Sequence, residues 1–474
     1  MDRREQDIVS FEWSHLHVHS DYSNIRLIDS INKIPMLIDR AVEIGCCGIA
    51  ITDHESISGH IQAIQYVKEG KKNGKIPQEF KLILGNEIYL VDNIEEEEGR
   101  RYCKTPYYHF ILLAKDEVGH EQLRLLSSMA WKNSFNTGKM TRVPTLKEDL
   151  ESVVKDNKGH LIASTACIGG ELGSLILNDR IEECEEFVKW CYGLFEDDFY
   201  LEMQPSDNEE QILVNSIILG LSEKYKVPYI ITTDAHYLTK EDRIFHSAYL
   251  KSHEEERETD EFYMTTYMMD EKEIHEYMDQ YIGVQAVNKG LKNTGIITSK
   301  IEEYDLFHSQ IVPKIDLPSF TLRNLFKNYY KDHEYIEKFA LSDNENDRYL
   351  LHLIEEGFIE KEVNRGVNKD YATIDELVDR LELELKAIWL SSERINDKVS
   401  SYYICTLKIL DIMWDDQGGN SLVGPGRGSV ASFYTGFLIN LHQINPIKYQ
   451  IPYWRHLHES RPEMPKQHWA CKTS

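Results

Sequence analysis

SHLHVHS (14–20) interleaves three histidines, His15, His17 and His19, with Leu16 and Val18. In an extended strand the side-chain period is two, so this spacing predicts three imidazoles on one face. A lone histidine in a strand is ordinarily a satisfied structural residue. Whether these three do more depends on what the rest of the chain brings beside them. Six further segments are rich in β-branched and aromatic residues: GIAITDH (48–54), KLILGNEIYLV (81–91), YHFILLA (108–114), HLIASTA (160–166), FYLEMQP (199–205) and PYIITTD (228–234). Segments with helical spacing lie between them, among them IPMLIDRAVEIG (34–45), GHEQLRLLSSMAW (119–131) and DRIEECEEFVKWCYGLF (179–195).

Strand and helix thus alternate through seven units. Parallel strands need crossover connections, and seven units in one block predict an α/β fold whose parallel sheet closes into a β/α barrel in preference to an open sheet. In such a barrel the functional groups collect at the carboxyl ends of the strands. The second strand ends in Asp53 and His54, the third carries Glu87, the fourth opens with His109, Cys167 follows the fifth, and the seventh runs into Asp234 and His236. Six of seven strands therefore deliver imidazole, carboxylate or thiol to, or near, one rim.

These groups are ligands for zinc, manganese or iron, and their number exceeds the needs of one tetrahedral ion. Two or three divalent ions are implied. Such clusters suit phosphate-ester hydrolysis, because the ions acidify water and offset charge on phosphoryl oxygens. Asp53 either binds an ion or orients His54. Cys167 belongs to the residue type that is most often merely buried.

With 474 residues, 41% of them hydrophobic, the chain can bury sizeable cores in two or three domains. No stretch has the apolar length of a membrane span, and MDRREQDIVS lacks a secretory apolar run, so the expected compartment is the cytoplasm. Eight cysteines without a CxxC pair indicate neither a zinc knuckle nor a disulfide framework. A net charge of −27 argues against a broad basic surface for gripping duplex DNA.

Near residue 285 the pattern turns helical and polar, and IVPKIDLPSF (311–320) reads as a connector. Two helical segments, 374–390 and 401–416, then precede VGPGRGSVAS (423–432). Gly424, Gly426 and Gly428 would let backbone N–H groups approach a phosphate, and Arg427 and Ser429 can donate to it. No lysine follows the glycines, so this is not a Walker loop. Alone, GPGRGS is more often a tight turn.

Together HLHVHS, ITDHESISG, GNEIYL, YYHFILLAK, STACIGGEL and TTDAHYL resemble the polymerase and histidinol phosphatase (PHP) domain, in the version carried by bacterial DNA polymerase III alpha subunits, the C-family replicases. The resemblance runs from about residue 12 to about residue 465. It implies a distorted seven-unit β/α barrel with metal ligands His17, His19, His54, Glu87, His109, Cys167, Asp234 and His236. The family's ninth ligand is an acidic residue in a leucine-aspartate-glycine turn after the first motif. Here Asp29 is the nearest match and Asp21 the alternative. Members that retain the full set can act as metal-dependent 3′–5′ exonucleases, with zinc or manganese in the site.

RLELELKAIWL, SYYICTLKILDIMWDD and the segment from VGPGRGSVAS to RPEMP resemble the first part of the polymerase palm, an incomplete nucleotidyltransferase fold whose glycine-serine element falls on Gly428 and Ser429. The implied domains are a PHP metal-binding barrel over 1–285, a connector and palm start over 286–465, and a divergent tail over 466–474. In the family an aspartate-x-aspartate pair, which holds magnesium, directly follows the methionine-proline matched by Met464 and Pro465. Here KQHWACKTS follows, and none of the polymerase aspartates is present; Asp411, Asp415 and Asp416 precede the loop and match a helix instead. An intervening element, a split gene or a truncation is the expected cause. The resemblance further implies DNA, deoxynucleoside triphosphates, replisome proteins and a separately encoded polymerase part as partners, with no membrane. Two other functions compete with this one: a free-standing metal-dependent phosphoesterase, and a structural module stabilised by ions.

Overall fold

The β-branched segments of the first half pair in the order in which they occur. Seven strands follow one another along an eight-stranded sheet: β1 (Ser14–His15), β2 (Gly48–Ile51), β3 (Lys81–Val91), β4 (Tyr108–Ala114), β5 (Leu161–Ser164), β6 (Phe199–Met203) and β7 (Tyr229–Ile231); the eighth, the short strand Pro144–Leu146, pairs in parallel with the end of β3 beside this path. The structure, a computed structural model, describes residues 12–25, 28–137, 140–252, 261–307, 311–364, 366, 371–415, 419 and 421–458. Met464, Pro465 and the 466–474 tail lie outside the described residues.

Helices α1 (Ile34–Glu43) and α2 (His60–Lys72) cross between β1, β2 and β3, which pair in parallel. Between β3 and β4 the crossover helix is replaced by a small antiparallel hairpin, Glu95–Glu97 with Arg100–Tyr102. A chain that returns through a hairpin must run back along its neighbour, and β4 is antiparallel to both β3 and β5. The all-parallel expectation fails at this strand alone. The consequence is favourable: His109, at the start of β4, sits opposite Tyr89 near the end of β3, at the rim where the other strands finish.

Helices α3 (Glu117–Lys132) and α4 (Lys147–Asp156) precede β5, α5 (Glu171–Leu177) and α6 (Ile181–Phe195) precede β6, and α7 (Glu209–Tyr225) precedes β7. Local chemistry starts several of them. Asp116 caps α3 by accepting from Gly119 N, and Asn208 caps α7 by accepting from the N–H groups of Glu210 and Gln211. Beyond the first and last strands a parallel bridge joins Val18 to Ala235, with His19 N donating to Ala235 O at 3.0 Å and Ala235 N to His17 O at 3.2 Å. This bridge closes the sheet into a barrel at the carboxyl-end rim.

After β7 come α8 (Arg243–Leu250), α9 (Glu271–Ile282) and α10 (Val284–Ser299). The chain divides into two units, 1–307 and 308–474, later than the expected 285/286. The reason is α10, which packs on β7 and β1. Ile297, with Ile301 just beyond the helix, joins Ala50, Ile83, Ile162 and Ile230 of the strands in one buried cluster. A Cβ on Gly295 would lie 2.0 Å from the Glu12 carbonyl oxygen, so only glycine permits this approach.

The second unit holds helices α11 (Glu334–Ala340), α12 (Glu345–Phe358), α13 (Ile374–Ile395), α14 (Val399–Trp414) and α15 (Tyr434–Leu438), and no strand among the described residues. Thr373 and Glu376 form a capping box that starts α13, and left-handed Asn396 ends it. The core joins Leu377, Leu381, Leu385 and Ile388 of α13 to Leu350 and Ile354 of α12 and to Phe433 and Tyr434. Among the described residues no helix is long and apolar enough to cross a membrane.

Two glycine substitutions should move stability in opposite directions. Gly295→Ala drives a methyl into the Glu12 carbonyl and should cost about 1–3 kcal/mol. Gly220→Ala, on an open, exposed face of α7, should stabilise by up to about 1 kcal/mol. Denaturant unfolding of the two variants beside the wild type checks both signs.

Candidate metal centre

The rim gathers its groups through backbone pairing that extends past the strands. A parallel bridge sets His54 beside Glu87, another sets His109 beside Gly170, and the Val18–Ala235 closure brings His17 and His19 to Asp234 and His236. Asp234 adopts a left-handed backbone at φ +48°, a conformation uncommon outside glycine that recurs at functional sites.

Three ligand sets result, each with its donor atoms within 4.8 Å of one another: His19, His54 and His236; His17, His19 and Asp234; His54, Glu87 and His109. His19 belongs to the first two and His54 to the first and third, so the sets form a continuous chain. The His19 ring stacks between His54 and His236 at centroid distances of 4.1 and 4.5 Å. Asp29 completes the group, its Oδ2 lying 2.7 Å from His54 Nε2 and 3.3 Å from His236 Nε2. Asp21 does not join it and pairs instead with Lys33 at 2.6 Å. Cys167 is buried beside the cluster, its Sγ 3.5 Å from His109 Nδ1, but belongs to none of the three sets.

Two members of the opening motif are held in one tautomer. His17 Nδ1 meets the buried Glu202 carboxylate at 2.7 Å and must donate to it. Ser23 Oγ donates to Asp53 at 2.8 Å, which leaves it to accept from His19 Nδ1 at 3.1 Å. Both Nε2 atoms therefore point inward. His17 Nε2 lies 3.2 Å from Asp234 Oδ1 and 3.4 Å from Glu87 Oε1; His19 Nε2 lies 3.0 Å from Asp234 Oδ1 and 3.4 Å from Glu87 Oε2. Both Nε2 atoms are buried without a hydrogen-bond partner, whereas Glu87 Oε1 also lies 2.7 Å from His109 Nδ1. In a neutral imidazole the two Nε2 atoms present lone pairs to carboxylate oxygens, an arrangement that only a proton or a cation relieves.

Without metal, protons fill part of that role. Burial opposes charge on His54, but Glu87 and Asp29 outweigh it and push its pKa up to about 10. Burial likewise opposes charge on His17, and the carboxylates of Asp234, Glu202 and Glu87 raise its pKa well above the ordinary value. His19 goes the other way: burial, and then the charges of His54 and His236, lower it to about 3. Burial disfavours the Glu87 carboxylate, yet His109, His54 and His17 hold its pKa well below the usual range.

Several supporting residues were not legible in the motifs. Glu202, on β6 inside FYLEMQP, also accepts from Ser164 Oγ, Thr232 Oγ1 and Gln204 Nε2. Tyr263 donates to Asp29 Oδ1 at 2.7 Å, and His246 Nε2 donates to the Asp29 carbonyl at 2.6 Å. A carboxylate on a strand otherwise buried throughout was the available signal for Glu202. Two expectations need correction. Asp53, expected to bind an ion or orient His54, accepts from Ser20 and Ser23 and so supports His19. His15 belongs to none of the three sets: its Nε2 bonds the Met269 carbonyl at 3.0 Å and its Nδ1 lies 3.3 Å from Thr233 Oγ1.

In the second unit the glycine loop ends on a firm anchor. The buried Glu384 carboxylate of α13 accepts from Tyr434 N and Thr435 N at 2.8 Å each, and Arg380 Nη2 donates to Ser432 O at 2.6 Å. Gly428 has φ +75°, and a Cβ on Gly426 would meet Ile444 at 2.8 Å, whereas Gly424 faces open space. Arg427 and Ser429 are exposed.

Comparison with known proteins agrees with this architecture. The PHP domain family matches residues 15–206, and the bacterial DNA polymerase III alpha NTPase domain family matches residues 348–466. The chain is thus a DNA polymerase III alpha-like family member with a PHP domain. It is 45% identical over 466 residues to probable DNA polymerase YorL of Bacillus subtilis strain 168 and, to the same extent, to a DNA-directed DNA polymerase of Bacillus phage SPbeta, covering 95% of this chain and 36% of each. With DNA polymerase III subunit alpha of Borreliella burgdorferi it shares 30% identity over 95% of its length and 34% of the relative. The chain therefore spans about a third of the length of these curated relatives. A solved putative metal-dependent phosphoesterase from Bifidobacterium adolescentis aligns with 48% of this chain and 88% of its own at 16% identity and a TM-score of 0.28, too slight a likeness to carry weight.

The raised imidazole pKa values predict the pH dependence of ion binding. His54, its pKa pushed up to about 10, carries a proton at pH 7 in the metal-free protein and must shed it to act as a ligand. Zinc or manganese titrated calorimetrically in buffers of different ionisation enthalpy should show net proton release, and the rise in Tm on adding metal should grow between pH 6 and pH 8. Glu202→Gln, which weakens the hold on the His17 tautomer, should lower metal affinity about 10- to 100-fold while leaving the fold intact by circular dichroism.

Proposed function

We propose that this chain is the PHP-bearing part of a DNA polymerase III alpha-like replicase, and that its rim centre hydrolyses phosphodiester bonds at DNA 3′ ends with two or three divalent ions. One observation carries the proposal: the inward-facing Nε2 atoms of His17 and His19, each without a hydrogen-bond partner, share a buried space with oxygens of Glu87 and Asp234. A purely structural polar cluster would be satisfied internally.

On this proposal His17, His19, Asp29, His54, Glu87, His109, Asp234 and His236 hold the ions, with Cys167 beside His109 as the ninth candidate. Zinc and manganese suit this imidazole and carboxylate set, and when bound they supply acidification of water and neutralisation of phosphoryl charge. The residues of the chain do the rest. Glu202 and Ser23 hold two imidazoles in the ligating tautomer, and Tyr263 and His246 fix Asp29. A cleft of about 350 Å³ opens between Ile168, next to Cys167, and Thr233, next to Asp234. Gln204, Ser206 and Asn208 line it with polar groups and Phe262 with an aromatic ring, a mixture suited to a terminal nucleotide.

Chain extension is assigned to the glycine loop acting with polymerase segments beyond the third of the relatives' length spanned here. Magnesium, DNA and deoxynucleoside triphosphates, and other replisome proteins, are its partners on this proposal. A structural role for the ions has one favouring observation, the closure of the barrel at the same rim. Activity separates the two.

Purified protein with manganese or zinc should shorten a 5′-labelled single strand from its 3′ end. A His17→Ala, His19→Ala double variant should lose more than roughly a hundredfold of that rate, beyond the range typical of outer-shell partners. Equal digestion by both proteins would refute the assignment. Full loss of thermal stabilisation by metal, with no digestion by the wild type, would establish the structural role instead.

A further inference from the structure

Ser429 is exposed at the end of the glycine loop, yet its hydroxyl is tied to a buried histidine. Its Oγ lies 3.1 Å from His456 Nδ1, and His456 Nε2 lies 3.0 Å from the Tyr403 hydroxyl on α14. His456 and Tyr403 are each 1% exposed. Phe433 closes around them, its ring 4.7 Å edge-on to His456 and 6.3 Å from Tyr403 in near-parallel stacking. Water is therefore kept from both polar groups.

The direction of this chain follows from donor inventory. A buried phenol that donates to nothing is destabilising, and His456 Nε2 is the acceptor within reach of Tyr403. Burial holds the phenol above its ordinary pKa, and the nearby Glu384 carboxylate adds to the effect. With Nε2 accepting, a neutral His456 carries its proton on Nδ1 and donates to Ser429 Oγ. The Ser429 proton is then left to point outward. The opposite polarity would turn the serine hydroxyl inward as a donor to histidine and present only lone pairs to the loop.

We propose that His456 and Tyr403 are positioning residues that orient Ser429 as an outward hydrogen-bond donor to a phosphate oxygen of a nucleoside triphosphate. The proposal rests on the assignment of residues 424–429 as a phosphate-binding loop. Arg427, two residues before Ser429, supplies the charge, and the relay supplies the direction of the hydroxyl. The outward hydroxyl proton can then be donated to a phosphate oxygen, and the charge of Arg427 favours an anionic acceptor over a neutral one.

The test uses the full chain and inorganic triphosphate in metal-free buffer, so that no ion at the PHP rim can hold the probe. Wild-type protein should bind triphosphate, and Ser429→Ala should weaken binding roughly tenfold. His456→Phe should weaken it to a similar degree, whereas His456→Asn, whose amide nitrogen replaces Nδ1 as a donor, should restore most of the affinity. Imidazole ¹⁵N shifts should place the His456 proton on Nδ1 in the wild type and show it moved or shared in Tyr403→Phe, a signature that a packing role alone would not produce. Three outcomes would overturn the proposal. Absence of triphosphate binding by the wild type removes the loop assignment and the relay with it. Binding weakened by Ser429→Ala but unchanged in His456→Phe leaves the loop assignment and removes the relay. A proton found on Nε2 in the wild type removes the relay's direction.

Discussion

Imidazole lone pairs and carboxylate oxygens confined together, away from water, dominate the first unit. His17 and His19 cannot turn their Nε2 atoms elsewhere, because Glu202 and the Ser23–Asp53 pair hold the opposite nitrogens. Asp29, Glu87, Glu202 and Asp234 add four buried carboxylates. Such a cluster is tolerable only with positive charge among its members, from protons or from metal ions. The barrel is built to impose it. Its closing bridge runs between Ala235 and the residues flanking Val18, so the pairing that joins the first and last strands also brings His17 and His19 to Asp234 and His236.

That dependence accounts for the irregularities of the fold. The missing helix between β3 and β4 reverses β4 and brings His109 to the common rim. The left-handed backbone at Asp234 turns its carboxylate toward both His17 and His19. Pairing of β1 lapses after His15, and that histidine joins none of the sets to which the two that follow belong. These three departures from an ideal β/α barrel fall on or beside the histidine and carboxylate groups, as expected where local rules yield to a site.

The second unit follows the same logic with different chemistry. A buried carboxylate, Glu384, takes the first N–H groups of α15 and so fixes the segment that emerges from the glycine loop. A positive φ calls for glycine at 428, and a Cβ at 426 would press on the tip of the Ile444 side chain, which shapes the loop before any ligand is considered. Arg427 and Ser429 are then exposed on a backbone held from behind.

Much was readable from order and spacing alone. Periodicity located seven of the eight strands of the sheet, with β3 and β4 matching their segments end to end, because apolar alternation and β-branching are local properties; the three-residue strand Pro144–Leu146 is too short to show a period. Residue chemistry marked candidate ligands at the strand ends, and the structure brings His17, His19, His54, Glu87, His109, Asp234 and His236 into three adjoining groups. Strand direction was not readable, because it depends on whether a connection packs as a helix or folds back as a hairpin. Nor were the partners of Asp53, the separation of His15, the choice of Asp29 over Asp21, or the orienting role of Glu202, all of which depend on residues distant in sequence meeting in the closed barrel. The sequence by itself determined which chemical groups the chain carries and the elements that bear them. Only the tertiary structure decided which of those groups face one another, because hydrogen-bond partnership and burial are properties of packed surfaces and not of neighbouring positions.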